Sequence, residues 1–142
     1  MNYLSAFDIS GSGMSVEKLR LDVTAINLAN VHTSRTADGG IFKPLRVLTT
    51  ARLAPSFEAA LNLVSSAGAP MADVVEAEVA PRMVYDPGHP DADEKGFVAY
   101  PDINPVSEMI NLMTATRAYE ANVRAMNAAK TMALKALEIG GA

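Results

Sequence analysis

The fold is decided by the stretch NPVSEMINLMTATRAYEANVRAMNAAKTMALKALEI, which occupies residues 104–139. Asn104 and Pro105 form a helix start signal, with Asn as the N-cap and Pro at the first helical position. The following residues are rich in good helix formers, and no further Pro or Gly occurs before Gly140-Gly141, a typical helix stop. We therefore predict a long helix from Pro105 to Ile139.

Apolar residues in this predicted helix recur at alternating spacings of three and four, the pattern of a coiled-coil seam. Seven of the nine positions are apolar in the series Met109, Leu112, Thr116, Tyr119, Val123, Met126, Lys130, Ala133 and Leu137. Methionine fills helix cores and also adapts to several different partners.

The N-terminal segment, from about Leu4 to Val31, has a helical pattern with two apolar stripes. The first stripe consists of Leu4, Phe7, Gly11, Met14, Lys18, Leu21, Ala25 and Leu28, and the second of Ile9, Ser12, Val16, Leu19, Val23, Ile26 and Asn30. Two stripes are more than one partner helix can cover. Gly11 and Gly13 should weaken this helix by roughly 1 kcal/mol each relative to Ala.

The middle of the chain, residues 33–102, contains seven of the eight prolines and predicts turns and short strands. The predicted strands are Leu45–Thr50, Val74–Val79, Arg82–Tyr85 and Phe97–Tyr100, which are rich in β-branched and aromatic residues. For residues 57–64 a short helix and a strand remain equally open.

We predict a mainly α fold with a small β-rich insertion. The terminal segments 1–33 and 103–142 would pair as an α-helical coiled coil, and residues 34–102 would form the β-rich middle. The two helices would be about 40 and 50 Å long. Those lengths exceed a compact sphere of this chain, with a radius of gyration of about 14–15 Å, and favour a rod-like helix pair.

Composition excludes several classes of protein. The 142 residues carry a net charge of −4 and include no cysteine, which excludes disulfides, cysteine-ligated zinc and a thiol nucleophile. The 12 Lys and Arg residues are scattered, whereas nucleic-acid binding needs a basic face. No apolar run approaches the roughly 18–20 residues of a membrane span. Residues 1–12 lack the basic start and apolar stretch of a secretory signal peptide.

The sequence offers little for catalysis or metal binding. Asp91 and Asp93 resemble the opening of a calcium loop, but Lys95 stands where an oxygen ligand is needed and Asp102 replaces the final Glu. The two histidines, His32 and His89, lie in predicted turns, and no G-x-S-x-G motif is present. We predict no catalytic, cofactor or metal site, and hence no enzyme.

Asparagines near the predicted helix faces leave two interpretations open. Asn27, Asn30 and Asn122 could be surface residues, with Asn30 as the helix stop. Alternatively, their amides could face an apolar seam and fix register and partner choice at some cost in stability.

Three segments resemble the bacterial flagellar basal-body rod protein family. INLANVHT at residues 26–33 resembles the family's N-L-A-N-x-x-T signature. VYDPGHPDADEKG at residues 84–96 is similar to the stretch that marks the proximal-rod members, and residues 104–140 resemble the family's C-terminal helix.

The resemblance implies a structural subunit of the proximal rod, exported through the flagellar type III apparatus without a cleaved signal peptide. It would assemble across the periplasm with other rod proteins and its own copies in a helical array. Neither nucleic acid, small-molecule substrate nor membrane insertion is expected. A cytoplasmic coiled-coil adaptor that binds one partner helix is the alternative. The predicted assembly interface comprises Phe7, Met14, Leu21, Asn27, Leu28, Asn30, Met109, Leu112, Tyr119, Asn122, Val123 and Met126.

Overall fold

The computed structural model describes residues 3–51 and 70–140, which form two helices and four short strands. The elements in chain order are α1 (Tyr3–Ala29), β1 (Leu45–Ala51), β2 (Pro70–Glu76), β3 (Arg82–Tyr85), β4 (Phe97–Tyr100) and α2 (Pro105–Gly140). The chain is therefore mainly helical with short strands in the middle, as predicted. Residues 57–64, where helix and strand were left open, lie outside the described residues.

Helix α2 begins where the sequence predicts, because Asn104 caps it. The Asn104 Oδ1 atom accepts hydrogen bonds from the backbone N–H groups of Val106 at 3.0 Å and Ser107 at 3.3 Å. The Asn104 carbonyl accepts the N–H of Glu108 at 3.0 Å, which closes the first turn. Glu108 also places a carboxylate in that turn, where the helix dipole favours negative charge.

Helix α1 ends at Ala29, and local hydrogen bonds of Asn30 explain the stop. The Asn30 side chain donates from Nδ2 to the Ile26 carbonyl at 2.8 Å and accepts from the Thr33 hydroxyl at 3.1 Å. Asparagine competes in this way with continued helical bonding. The structure thus bears out Asn30 as the helix stop.

Strands β3 and β4 form an antiparallel hairpin with the predicted bounds. Tyr85 pairs with Phe97 and Val84 with Val98. Val98 is fully buried, whereas the Tyr85 and Phe97 rings are exposed and touch edge to face at 5.4 Å between centroids. Gly96 closes the hairpin loop at a φ of +81°, a conformation that favours glycine.

Strand β2 differs from its predicted position. It runs from Pro70 to Glu76 and pairs with β1, so the predicted strand 74–79 begins and ends too late. The last pairing contact is the N–H of Ala77, which donates to the Pro44 carbonyl at 2.7 Å. Pairing with β1, rather than the β-propensity of the valines, sets these limits.

The chain divides into two compact units, and each helix contributes to both. One unit consists of the described residues within 1–19, 48–73 and 114–142, and the other of residues 20–47 and 74–113. The second unit has a small core whose apolar members are Val23, Val31, Val98, Pro101 and Ile103. Neither described helix has the length and apolarity that a membrane crossing requires.

Candidate assembly surface

The twelve predicted interface residues fall into three classes of burial. Met109 and Tyr119 are exposed, and Asn27 is buried with 3% of its surface accessible. The other nine are half-buried: Phe7, Met14, Leu21, Leu28, Asn30, Leu112, Asn122, Val123 and Met126.

The most enclosed side of α1 is largely polar. Within residues 6–29 of α1 six residues are buried: two are valines, and the other four are Ser10, Glu17, Thr24 and Asn27. These four, together with Gly13, follow spacings of three, four or seven, and we call these five residues the inner line of α1. The two apolar stripes predicted from the sequence flank this line. The pattern of apolar residues in the sequence does not predict the inner line, although the sequence does contain small and polar residues at this regular spacing.

Two glycines of α1 allow close approach to α2. A Cβ atom added at Gly13 would lie 2.9 Å from Nδ2 of Asn122, closer than real Cβ contacts. One added at Gly11 would lie 3.7 Å from Cε of Met126, an ordinary contact. Sequence reasoning treated both glycines as weak points of the helix, but Gly13 provides the space that the Asn122 amide occupies.

Asn27 connects α1 to β1 and α2 through its buried amide. Its Oδ1 accepts the N–H of Leu45 at 2.8 Å, and its Nδ2 donates to the Leu45 carbonyl at 2.9 Å. The same Nδ2 lies 3.3 Å from Oε2 of Glu108, which accepts a further hydrogen bond. The Asn27 amide therefore forms the same two hydrogen bonds to the backbone of Leu45 that a neighbouring strand would form. Sequence reasoning singled out Asn27 but missed both partners, which are distant along the chain.

The loop between β3 and β4 is fastened to the segment after α1 by Asp91. Its Oδ2 accepts a hydrogen bond from the Ser34 hydroxyl at 2.7 Å, and the Arg35 guanidinium lies 3.9 Å from Oδ1. The N–H of Asp91 donates to Nδ1 of His89 at 3.1 Å. Within the same loop, Oδ1 of Asp93 accepts two backbone N–H groups at 2.8 Å each. These carboxylates organise the loop.

The first turns of α2 expose four large apolar residues on one side. They are Val106, Met109, Ile110 and Met113, between 53% and 65% exposed, and we call them the outer stripe. Their spacing of three, four and seven places them on one helix face. Glu108, which is half-buried, lies on the opposite side, and half-buried Leu112 borders the stripe next to Met109. This surface can pack against another helix.

The last turns of α2 are apolar on two opposite sides. Met132, Leu134, Leu137 and Ile139 are all exposed, the last two at 72% and 81%. Residues two apart lie about 200° apart around a helix, so each neighbouring pair faces in opposite directions. A helix with apolar residues all round is normally buried.

The surface charges are arranged in local pairs. Nζ of Lys43 lies 2.8 Å from Oε1 of Glu78 and 3.5 Å from Oε2 of Glu76. The hydrogen bond to Glu78 raises the pKa of Lys43 above its usual value, and the same bond lowers the pKa of Glu78. Both side chains are exposed. Within residues 3–51 and 70–140, no group of three acidic or histidine side chains converges as metal ligands would.

Comparison with known proteins identifies relatives across the chain. The family profile described as flagellar basal body rod FlgEFG protein C-terminal matches residues 94–139. The chain is 39% identical over 140 residues to the flagellar basal-body rod protein FlgC of Escherichia coli O6:H1, covering 99% of both chains. It is 37% identical to the same-named protein of Bacillus subtilis, again over 99% of both. That of Aquifex aeolicus is 40% identical, over 92% of this chain and 91% of its own.

Proposed function

Because the chain belongs to the FlgC family of flagellar basal-body rod proteins, it is a structural subunit of that rod, and we propose that its exposed apolar helix surfaces pack against helices of neighbouring subunits. The observation that carries this proposal is the outer stripe of α2, which the described part of the chain leaves exposed. An amphipathic helix that docks by residues spaced three, four and seven apart is a common recognition mode.

The energy available from the outer stripe is substantial. Burying a Val, Ile or Met side chain completely contributes about 1.5–3 kcal/mol, so each of the roughly half-exposed members would contribute about 0.8–1.5 kcal/mol more on contact. The four together would supply about 3–6 kcal/mol per subunit before the entropy of association is subtracted. A contact repeated between successive subunits along a rod multiplies this gain.

The last turns of α2 support contact with more than one neighbour. Met132 and Leu134 face opposite directions, as do Leu137 and Ile139, so a single partner helix cannot cover both sides. A subunit inside a helical array has neighbours on several sides, including copies of itself, through interfaces that do not close. The terminal helices would thereby form the paired coiled-coil core of the assembly.

The family relationship disfavours the alternative of a cytoplasmic adaptor, since the relatives that match nearly the whole chain are named as rod proteins. The finer placement in the proximal rod, within the periplasm, belongs to our proposal and rests on the resemblance of residues 84–96. Purified basal bodies should contain the chain, and its intact mass would also report whether the N-terminus is cleaved. Recovery of the chain only from the cytoplasm would contradict this placement.

The docking role can be tested with two charge substitutions two residues apart on α2. Met109 and Asn111 are both exposed, and Asn111 is not spaced three or four residues from any member of the outer stripe. We expect Met109→Asp to abolish swimming in a strain whose own gene is deleted, because a charge in a dry interface costs several kcal/mol. Asn111→Asp adds the same charge outside the outer stripe and should leave swimming unchanged.

Circular dichroism and secretion level would show that both variants fold and are produced equally. Normal swimming of Met109→Asp would refute docking through the outer stripe. Equal loss in both variants would show that added charge, rather than the apolar surface, is responsible. A gene deletion that leaves swimming intact would reject the rod function itself.

A further inference from the structure

The contact between Gly13 and Asn122 lies on an alanine-rich stretch of α2, in the unit that contains the described residues within 1–19 and 114–142, whereas the Asn27–Glu108 hydrogen bond joins the same two helices in the other unit. The neighbouring buried and half-buried positions of this stretch include four alanines, Ala115, Ala118, Ala129 and Ala133. A helix face lined with alanines has nearly the same shape from one turn to the next. A slip of one turn, about 5.4 Å, would therefore encounter similar small side chains. Met126 is larger but flexible, and adapts to different surroundings.

The inner line of α1 offers only one place for the Asn122 amide. A Cβ atom at Gly13 would come within 2.9 Å of Nδ2, 3.2 Å of Cγ and 3.3 Å of Oδ1 of this residue. The next residues of the line in either direction, Ser10 and Glu17, carry side chains and are buried. A slip of one turn would push the amide against one of them.

We infer that the Gly13–Asn122 contact determines the axial register between α1 and α2 within the unit that contains both residues. The inference goes beyond the proposed docking and stands without it, since it concerns how this chain pairs its own helices. Single polar residues in helix interfaces are known to specify register in this way. Here the polar residue, Asn122, packs against Gly13, so the contact constrains both the size of the facing side chain and its axial position.

Register has a direct consequence for assembly. A one-turn slip would move residues of α1 such as Met14 by about 5.4 Å relative to residues of α2 such as Tyr119. A neighbouring subunit that fits the composite surface of both helices would then no longer fit. The contact thus acts as a specificity determinant for the rod, although neither residue need touch a neighbour.

Substitutions that change the size of the side chains at this contact test it in cells. Gly13→Ala should reduce swimming and rod assembly because its Cβ displaces the amide. Gly11→Ala is the matched control, since its Cβ meets only Cε of Met126 at 3.7 Å and Ala favours the helix. Asn122→Ala should also reduce swimming, because it removes the side chain that fixes the register, and combining it with Gly13→Ala should not restore wild-type swimming. Equal behaviour of the two single glycine variants, or wild-type swimming of Asn122→Ala, would overturn the inference.

Chemical cross-linking of the full chain reports register itself. The chain has no cysteine, so introduced pairs are its only thiols. With a short bifunctional thiol reagent, Gly11→Cys with Met126→Cys reports the observed register, and Gly11→Cys with Ala129→Cys reports a slip. We expect only the first pair to react while Asn122 is present, and the second to gain at least severalfold after Asn122→Ala.

Failure of the 11–126 pair to react, or an unchanged 11–129 yield after Asn122→Ala, would refute register control. The cross-linking result does not depend on flagellar function. A deletion strain that still swims would reject the rod assignment while leaving the register measurement valid.

Discussion

Replacement of Asn27 by alanine should destabilise the unit formed by residues 20–47 and 74–113. The amide is 3% exposed and makes two hydrogen bonds to the backbone of Leu45 and a third to Glu108. Asn27→Ala removes all three and leaves the Leu45 N–H and carbonyl without the partner seen here. The beginning of β1 would lose its attachment to α1.

The expected loss follows from these two backbone groups. A buried polar group that loses its partner costs about 1–3 kcal/mol. Leu45 is half-buried, so water can compensate part of the loss, and we expect about 2–4 kcal/mol in total for Asn27→Ala. Small domains are stable by only about 5–15 kcal/mol, so this change would remove a large share.

Asn30→Ala provides the matched control. Asn30 is half-buried, and its side-chain hydrogen bonds are local: Nδ2 donates to the Ile26 carbonyl and Oδ1 accepts from the Thr33 hydroxyl. We expect a loss of about 0.5–1 kcal/mol. Urea unfolding followed by circular dichroism would measure both variants. If Asn27→Ala costs no more than Asn30→Ala, the amide does not hold β1 and the reasoning is wrong.

Asn27→Asp separates hydrogen bonding from size. The introduced carboxylate can still accept the Leu45 N–H, but it cannot donate to the carbonyl and it lies beside Glu108. Burial and the neighbouring negative charge raise the pKa of such a group in the folded state above its unfolded value. The destabilisation is therefore fully present above the folded pKa and is relieved as the pH falls through it. The stability of this variant should improve between pH 7 and about pH 5 relative to Asn27→Ala, and an unchanged difference would contradict the proposed geometry.

Three further substitutions concern the hairpin and the surface charges. Gly96→Ala should cost about 1–3 kcal/mol in urea unfolding, because φ is +81° and the new Cβ would lie 3.0 Å from Cε2 of Tyr85; wild-type stability would contradict this. Asp93→Ala should cost about 1–2 kcal/mol by the same assay, since its carboxylate accepts two backbone N–H groups, and no change would show that the loop holds without it. Lys43→Gln should leave the melting temperature unchanged at neutral pH, because the pair with Glu78 is exposed and such pairs contribute little; a clear drop would refute this.

Local chemistry made the start of α2 and the bounds of the hairpin predictable, whereas the predicted end of α1 at about Val31 lies two residues beyond the observed end at Ala29. Asn104 and Pro105 specify the start of α2 through a cap whose donors are the next few backbone groups. The bounds of β3 and β4 were also predicted, because short β-branched and aromatic runs lie on either side of a loop rich in Pro, Gly and Asp. These signals act over a few residues, so no tertiary contact needs to be known.

Contacts distant along the chain could not be predicted in the same way. The limits of β2 depend on pairing with β1, and the role of Asn27 depends on Leu45 and Glu108, which are 18 and 81 residues away. The function of Gly13 could not be recognised either, since a glycine within a helix pattern predicts only a loss of helix stability until its neighbour is known. The interface roles of the apolar residues remain predictions.

The inner line explains why these apolar residues remain available. In an ordinary two-helix coiled coil, the apolar seam faces the partner helix and the polar residues face water. Here Ser10, Glu17 and Thr24 occupy enclosed positions, while the outer stripe of α2 stays exposed. Polar and small side chains bury little apolar area, so they stabilise the intramolecular pairing weakly. If further subunits cover α2, as we propose, they would gain much of the hydrophobic free energy that this arrangement leaves unused.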